Sequence, residues 1–453
     1  MIFFTWPNPG FQALAWKKMA WILRRKKSLS TGSKICLSFL LLLCACHPPK
    51  QEENLVLIQI QDRNGLSETI SNPDRLSSYD KIDFLSSQPY QKVVRVFRNE
   101  GKNRSVIVTY HPNGSTWQML EAKEMRAFGR FCEWFPSGAK KIEATVIGGT
   151  AELTPSAQAT WLFDGTSNVW DEEGHLLAAI IYDKGVLSGP STYYYPSGSV
   201  EKIQPYFQDR LAGAVEEFWE NNAIKATTPY RNGQKEGLAK AYWPTGELRA
   251  EEQYSNGLLL SARYFSQSQE IISEVSDSKG FQAVFQKLRL MCLQEIQNGA
   301  AEGLVKNFDS SGELRSTHHL KNGKKQGEEI EYYPSSEAGS TSALQPKISL
   351  CWDQDAIHGI VKTWYQNGHL QSQREMCRNK RNGICCCWYR DGSLMLTEEY
   401  ENDELIRGQY YRKNQLQPIS TITNGNGTAT IYDEDGVFMR KITYLNRKIV
   451  DSD

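Results

Sequence analysis

The sequence predicts an all-β protein: an elongated single-layer antiparallel β-meander of about fourteen hairpin repeats of 22–24 residues. A five-residue turn pattern, aromatic first and Gly last, recurs along the chain. It ends at Gly114, Gly138, Gly174, Gly198, Asn222, Gly246, Ser268, Gly312, Ser336, Gly368, Gly392, Asn414 and Gly436, with six intervals of 24 residues and three of 22. A second turn signal falls between successive copies, as in "YDKGVLSG" (Tyr182 to Gly189) and "YRNGQKEG" (Tyr230 to Gly237), so the segments left between breakers have strand length. Finally, only 40% of the 453 residues are hydrophobic, yet there are 17 Phe, 12 Trp and 21 Tyr. Rings, rather than a large aliphatic core, must hold such a chain together.

The elements follow in chain order. Residues 1–45 read as a signal peptide. They hold seven basic residues and no acid, with "RRKK" (Arg24 to Lys27) ahead of the apolar run "ICLSFLLLLCA" (Ile35 to Ala45). That run is too short to span a bilayer, which needs about 20 apolar residues. It closes in "LCAC", which resembles a bacterial lipobox with Cys46 as the lipid-attachment site; Ala45 before it is small. Met19 offers an alternative start giving a leader of ordinary length. Residues 46–91, polar and punctuated by Pro48, Pro49, Pro73 and Pro89, read as a tether and N-terminal cap, with alternation beginning near "DFLSSQPYQKVVRVF" (Asp83 to Phe97).

Residues 92–453 read as the repeat array. A 44-residue gap between Ser268 and Gly312 leaves room for one degenerate unit turning near "FQKLR" (Phe285 to Arg289). The 36-residue gap before Gly174 and the 32-residue gap before Gly368 read as single units with longer loops. In "YYPSG" and "YWPTG" the Pro presets φ for a type I turn, and the final Gly takes the left-handed conformation that closes the hairpin with a bulge. Asn222 and Asn414 fit the same place because Asn tolerates positive φ best among the other residues. Paired aromatics such as Tyr194 and Tyr195 point to opposite faces, and Tyr206, Tyr230, Tyr254 and Tyr400 on the second strands stand near the gaps between units. One hairpin alone is marginal, so stability must come from neighbours.

The segments "YWPTGELRAEEQYSNG" (Tyr242 to Gly257), "YYPSGSVEKIQPYF" (Tyr194 to Phe207) and "WYQNGHLQSQREM" (Trp364 to Met376) resemble MORN-type repeats, and more closely the bacterial variant labelled YwqK-type antitoxin-like. The resemblance covers roughly residues 95–450. It implies an extended β-sheet and a membrane-associated or interaction module. The antitoxin label sits poorly with an exported chain.

Candidate sites are few. Trp219, Trp243, Trp364 and Trp388 are the ring candidates for binding a sugar, lipid head group or partner side chain, set against a plain role in the ladder that holds the sheet together. "CCC" (Cys385 to Cys387) beside Cys377 lacks metal-ligand spacing, and no metal site or cofactor is expected. A cross-hairpin disulfide between Cys377 and Cys385 suits an oxidising compartment, with buried free thiols as the alternative. No HExxH, GxSxG, Walker or strand-anchored GxGxxG motif occurs, so an enzyme is not expected.

The balance of 52 basic and 52 acidic residues hides a mature chain of net charge −7 once the leader is removed. That argues against nucleic acid as a partner. The functional expectation is a lipid-anchored, non-enzymatic repeat scaffold or binding protein of the bacterial envelope, in the outer membrane where the cell has one, with a protein or envelope partner. The alternatives are an envelope carbohydrate-active hydrolase or an antitoxin-like regulatory protein.

Overall fold

The computed structural model describes residues 55–98, 104–335 and 344–452. The signal peptide, Cys46 and the Met19 start lie outside the described residues. So does most of the loop in the 32-residue unit.

The described chain forms one open antiparallel sheet of 37 strands in meander order, with two short helices. By internal contacts it divides into two units, residues 1–235 with 244–246, and 236–243 with 247–453. Two turn types recur at the hairpins, and both follow from local chemistry. At the aromatic turns, Gly198 has φ +85° and its N–H donates to the Tyr195 carbonyl at 2.9 Å, while the register slips at Tyr194. This is the type I turn with a bulge that the sequence predicts. Asn222 and Asn414 occupy the same place with φ of 65° and 60°. At the opposite edge of the sheet, two consecutive residues carry positive φ, as in Gln208 and Asp209 at 47° and 63°, which marks the tight I′ hairpin. The degenerate unit turns at Lys287 and Leu288, of which Lys287 alone has positive φ, 55°.

A second glycine recurs inside the repeats at a bulge, and a tyrosine faces it across the ladder. Tyr206 pairs with Gly189, Tyr230 with Gly213, Tyr254 with Gly237 and Tyr400 with Gly383. These are the four second-strand rings singled out from sequence. Two residues beyond the bulge the side chain is small: Ser191, Val215 and Ala239 are at most 5% exposed, while Cys385, beyond Gly383, is half-buried. Tyr254 and Ala239 share one apolar cluster. A broad ring beside a small residue lets a thin sheet bury apolar surface without a second layer.

The first unit departs from that scheme at its start. Residues 55–91 are not a tether throughout: β1 (Leu55–Asp62) and β2 (Ser67–Ile70) pair as a hairpin, and helix α1 (Pro73–Ser77) follows, capped by Asn72. Read again, "LVLIQIQD" alternates at its end, but the four apolar residues that open it, together with nearby prolines, obscured the period. Beyond α1 come β3 (Gln91–Arg98), β4 (Arg104–Tyr110), β5 (Thr116–Lys123), β6 (Arg126–Trp134) and β7 (Lys140–Gly148). Leu76 and Phe84 cover one face of these strands, packing with Ile58, Val94, Val96, Val108 and Met119. Ala151, Leu153 and Trp161 cover part of the other, against Ile107, Leu120 and Phe131. That second cover is the extra loop of the 36-residue unit, with helix α2 (Pro155–Gln158) capped by Thr154. It is pinned where Trp161 Nε1 donates to the Thr150 carbonyl at 2.8 Å and the Ala127 N–H donates to the Gly149 carbonyl at 3.0 Å.

Candidate functional site

The extra loop covers the sheet only partly, and a groove of about 1060 Å³ remains beside it. That volume is ample for a small-molecule ligand. Strand register builds its floor. One row of side chains runs Thr69, Gln59, Arg95, Ile107, and the next runs Ser67, Gln61, Val93, Thr109. Ala151, Glu152, Leu153 and Thr154 form the wall, and His111 with Trp117 stand at the rim. Trp117 is 42% exposed, and its ring lies 5.6 Å from that of His111.

Two polar groups on the floor are buried without a hydrogen-bond partner: Arg95 Nη2 and Thr109 Oγ1. Arg95 spends Nε on Ser105 Oγ at 3.3 Å and lies over the Phe97 ring at 5.4 Å. Burial lowers this guanidinium from its ordinary value, opposed only in part by the charge of Glu152. Below Thr109 a buried polar chain continues, Gln118 Nε2 donating to Glu133 Oε2 at 3.1 Å and Lys141 Nζ to Glu133 Oε1 at 2.5 Å. Unpaired donors at the base of a concave site are costly, at about 1–3 kcal/mol each, and a ligand acceptor relieves that cost. The remaining charged groups of the groove are engaged or peripheral. Arg63 Nε donates to the Pro89 carbonyl at 2.8 Å, and Glu68 is ion-paired with Arg75 at 2.7 Å.

The tryptophans chosen from sequence are elsewhere. Trp243 is 3% exposed, enclosed by Phe285 at 5.3 Å edge-on and by Arg249, so it is a packing residue and not a binding ring. Trp219, Trp364 and Trp388 are half-buried in the rows of aromatic turns. Lys225 Nζ sits 5.4 Å from the Trp219 ring, and the carbonyls of Trp364 and Trp388 accept hydrogen bonds from Tyr333 and Tyr365 at 2.7 and 2.8 Å.

These last contacts belong to a recurring link between consecutive turns. The residue that opens one turn donates to the carbonyl just before the next turn opens, as Tyr195 to Phe218 and Tyr389 to Tyr411, while the longer Trp243 indole reaches Ser266, which itself opens the next turn. His111 meets the Trp134 carbonyl at 2.9 Å in the same position. The opposite edge has its own link. Asp209 Oδ1 accepts from the Leu187 N–H while its own N–H donates back to the Leu187 carbonyl, and Asp355, Asn379 and Asp403 repeat this with Lys325, Ile357 and Arg381. The sequence signal for this link is the Asp or Asn at the second place of these four tight turns, Asp209, Asp355, Asn379 and Asp403.

The proposed Cys377–Cys385 disulfide is not formed. Cys377 pairs with Lys380 and Cys385 with Arg374, so the two thiols are offset by three positions, about 10 Å along the strand, beyond the reach of a bridge. Cys385 and Cys387 instead share a face, and a hydrogen bond from the Cys387 thiol lowers Cys385 from its ordinary value. Among the described residues, Asp171, Glu173 and His175 bring three ligand atoms within 4.8 Å at an exposed turn tip. There Asp171 Oδ1 accepts the His175 N–H at 2.7 Å, which the turn itself requires.

Comparison with known proteins agrees with the repeat geometry. No curated protein matches the chain. A solved structure, a Photorhabdus luminescens Tc holotoxin pore carrying the mutation TccC3-D651A, aligns at 10% identity with a TM-score of 0.15 over 83% of this chain, which spans 25% of that one. Residues 187–208, 235–256 and 357–377 match the MORN repeat variant, and each carries the bulge glycine, the left-handed turn glycine and the turn-opening ring described above. The chain therefore contains MORN-variant repeats in at least these three places.

Proposed function

We propose that this protein is a non-enzymatic repeat scaffold of the bacterial envelope, held to the membrane by a lipid on Cys46, whose N-terminal groove is its ligand-binding site. The observation that carries the binding role is the groove floor, where Arg95 Nη2 and Thr109 Oγ1 are buried with no partner. In the repeats, the turn residues Tyr195, Tyr333, Tyr365 and Tyr389 and the tight-turn residues Asp209, Asp355, Asn379 and Asp403 are engaged in linking one unit to the next. Glu68, one of the two carboxylates in the groove, is held by Arg75, which leaves a two-carboxylate hydrolysis mechanism short of one free group. Among the described residues no helix is long and apolar enough to cross a membrane. The basic leader, the eleven-residue apolar run and "LCAC" support attachment through lipid.

Expression in a bacterial host with a labelled fatty acid tests the anchor. The full chain should take up label and sediment with membranes, and Cys46→Ser should lose the label and its mature mobility. Undiminished labelling of Cys46→Ser would overturn the anchor. Crosslinking of the exported protein in cells then tests the scaffold role, with envelope components expected among the adducts.

A further inference from the structure

Taking the groove as the binding site, we infer that its ligand is a carboxylate-bearing saccharide: the carboxylate meets Arg95 and Thr109 on the floor, and a sugar ring stacks on Trp117 at the rim.

The chemistry of each surface selects this class. Arg95 presents a free buried Nη2 on a guanidinium whose Nε is held by Ser105, a charged donor that a carboxylate oxygen satisfies with a charge-assisted hydrogen bond. Thr109 Oγ1 is two residues along β4 from Ile107, which pairs with Arg95, so the hydroxyl and the guanidinium open on the same face. Formal charge agrees: the lining holds Arg63, Lys92 and Arg95 against Glu68 and Glu152, a small excess of positive charge on a chain whose mature sum is negative. Around the charged floor, Gln59, Gln61, Ser67 and Thr69 supply amides and hydroxyls, the groups that hydroxyl-rich ligands engage. Trp117 is an exposed ring braced by His111, an open apolar platform of sugar-ring width. A purely apolar ligand would leave the Arg95 donor unpaired, and a highly charged polyanion finds one engaged arginine at the rim and only one free on the floor.

The test uses the full chain in detergent micelles and isothermal titration with a linear trisaccharide of galacturonic acid. Its methyl ester, the neutral trisaccharide maltotriose and a tetra-alanine peptide with a free carboxylate are the comparisons. The acid trisaccharide should bind, and its ester and maltotriose should bind at least about tenfold more weakly. Arg95→Gln and the isosteric Thr109→Val should each weaken the acid at least about fivefold without lowering the thermal midpoint, and Trp117→Ala should weaken acid and ester alike. Equal binding of acid and ester, no effect of Arg95→Gln in a folded protein, or no binding at all would overturn the assignment. Tetra-alanine binding as tightly as the acid sugar would overturn it in favour of a peptide carboxylate. Lipid labelling at Cys46 and envelope crosslinks are read independently, so failure here leaves the anchored-scaffold reading standing.

Discussion

The Tyr365 phenol donates to the backbone carbonyl of Trp388 at 2.8 Å, 23 residues further along the chain, and so joins one aromatic turn to the next. Burial pushes this phenol up to about 12, so it stays protonated and donating throughout the neutral range. Removing the donor while keeping the ring isolates the link. Tyr365→Phe should lower stability by about 1 kcal/mol, and Tyr389→Phe, which breaks the following link, should do the same. Urea titration of the single and double variants checks this, and a double variant no weaker than either single would show that the links carry no free energy.

The two glycine classes should respond differently to a side chain. A Cβ on Gly246 meets nothing within 4 Å, and sister turns hold Asn at this place with φ of 65° and 60° against +99° here, so Gly246→Asn needs only a modest backbone adjustment and should cost less than about 1 kcal/mol. At Gly213, φ is +108° and a Cβ would stand 3.3 Å from Pro205 Cγ. Gly213→Val should cost about 2 kcal/mol or more, read as a fall in the thermal midpoint.

Trp243 separates packing from binding. Its ring is enclosed by Phe285 and Arg249, and its N–H reaches the Ser266 carbonyl at 3.2 Å. Trp243→Ala should destabilise the protein by about 3–5 kcal/mol. Trp117→Ala, at an exposed ring, should change stability by less than about 1 kcal/mol. Near-equal losses in parallel denaturant titrations would contradict this division.

Acid should weaken one strand pairing in a defined window. Burial pushes the Glu217 carboxyl up, but Lys202 at 2.8 Å and Lys225 at 3.0 Å outweigh it and hold the group at about 2, below its ordinary 4.5. Because the folded-state value is depressed, the stabilisation is fully present above pH 4.5 and is lost as pH falls through about 2. It is on the order of 1–3 kcal/mol. Comparing wild type with Glu217→Gln from pH 6 to pH 2.5, the difference between them should shrink as pH falls; a constant gap would refute the ion-pair account.

The array was legible because its determinants are local. A Gly or Asn at the left-handed place of a turn, and rings at a fixed distance from it, repeat often enough to declare a period. The degenerate unit could be placed from a gap length alone, and Lys287 turns where "FQKLR" required. The groove was not legible, for a physical reason. Arg95 and Thr109 become neighbours only through the register of β3 on β4, and the wall comes from a loop more than forty residues later folding back over those strands. Length was the one trace of it, in the 36-residue interval before Gly174. Of the four tryptophans, Trp243 is enclosed because ring position in a repeat reports packing first; the exposed Trp117 lies outside the turn motif altogether.

The turn-to-turn links also bear on how such a chain can change in length. The units that open at Tyr365 and Tyr389 each carry a donor for the next turn and an acceptor for the previous one, and the Tyr333 link to Trp364 spans 31 residues as readily as the Tyr365 link spans 23. Copying one unit therefore copies a complete plug and socket, and excising one leaves matching ends to rejoin. The groove has no such duplicate: it is assembled from the opening strands and a single oversized loop. The repeats can be multiplied or lost by gene-level slippage, while the groove stays a single, unrepeated feature of the described chain.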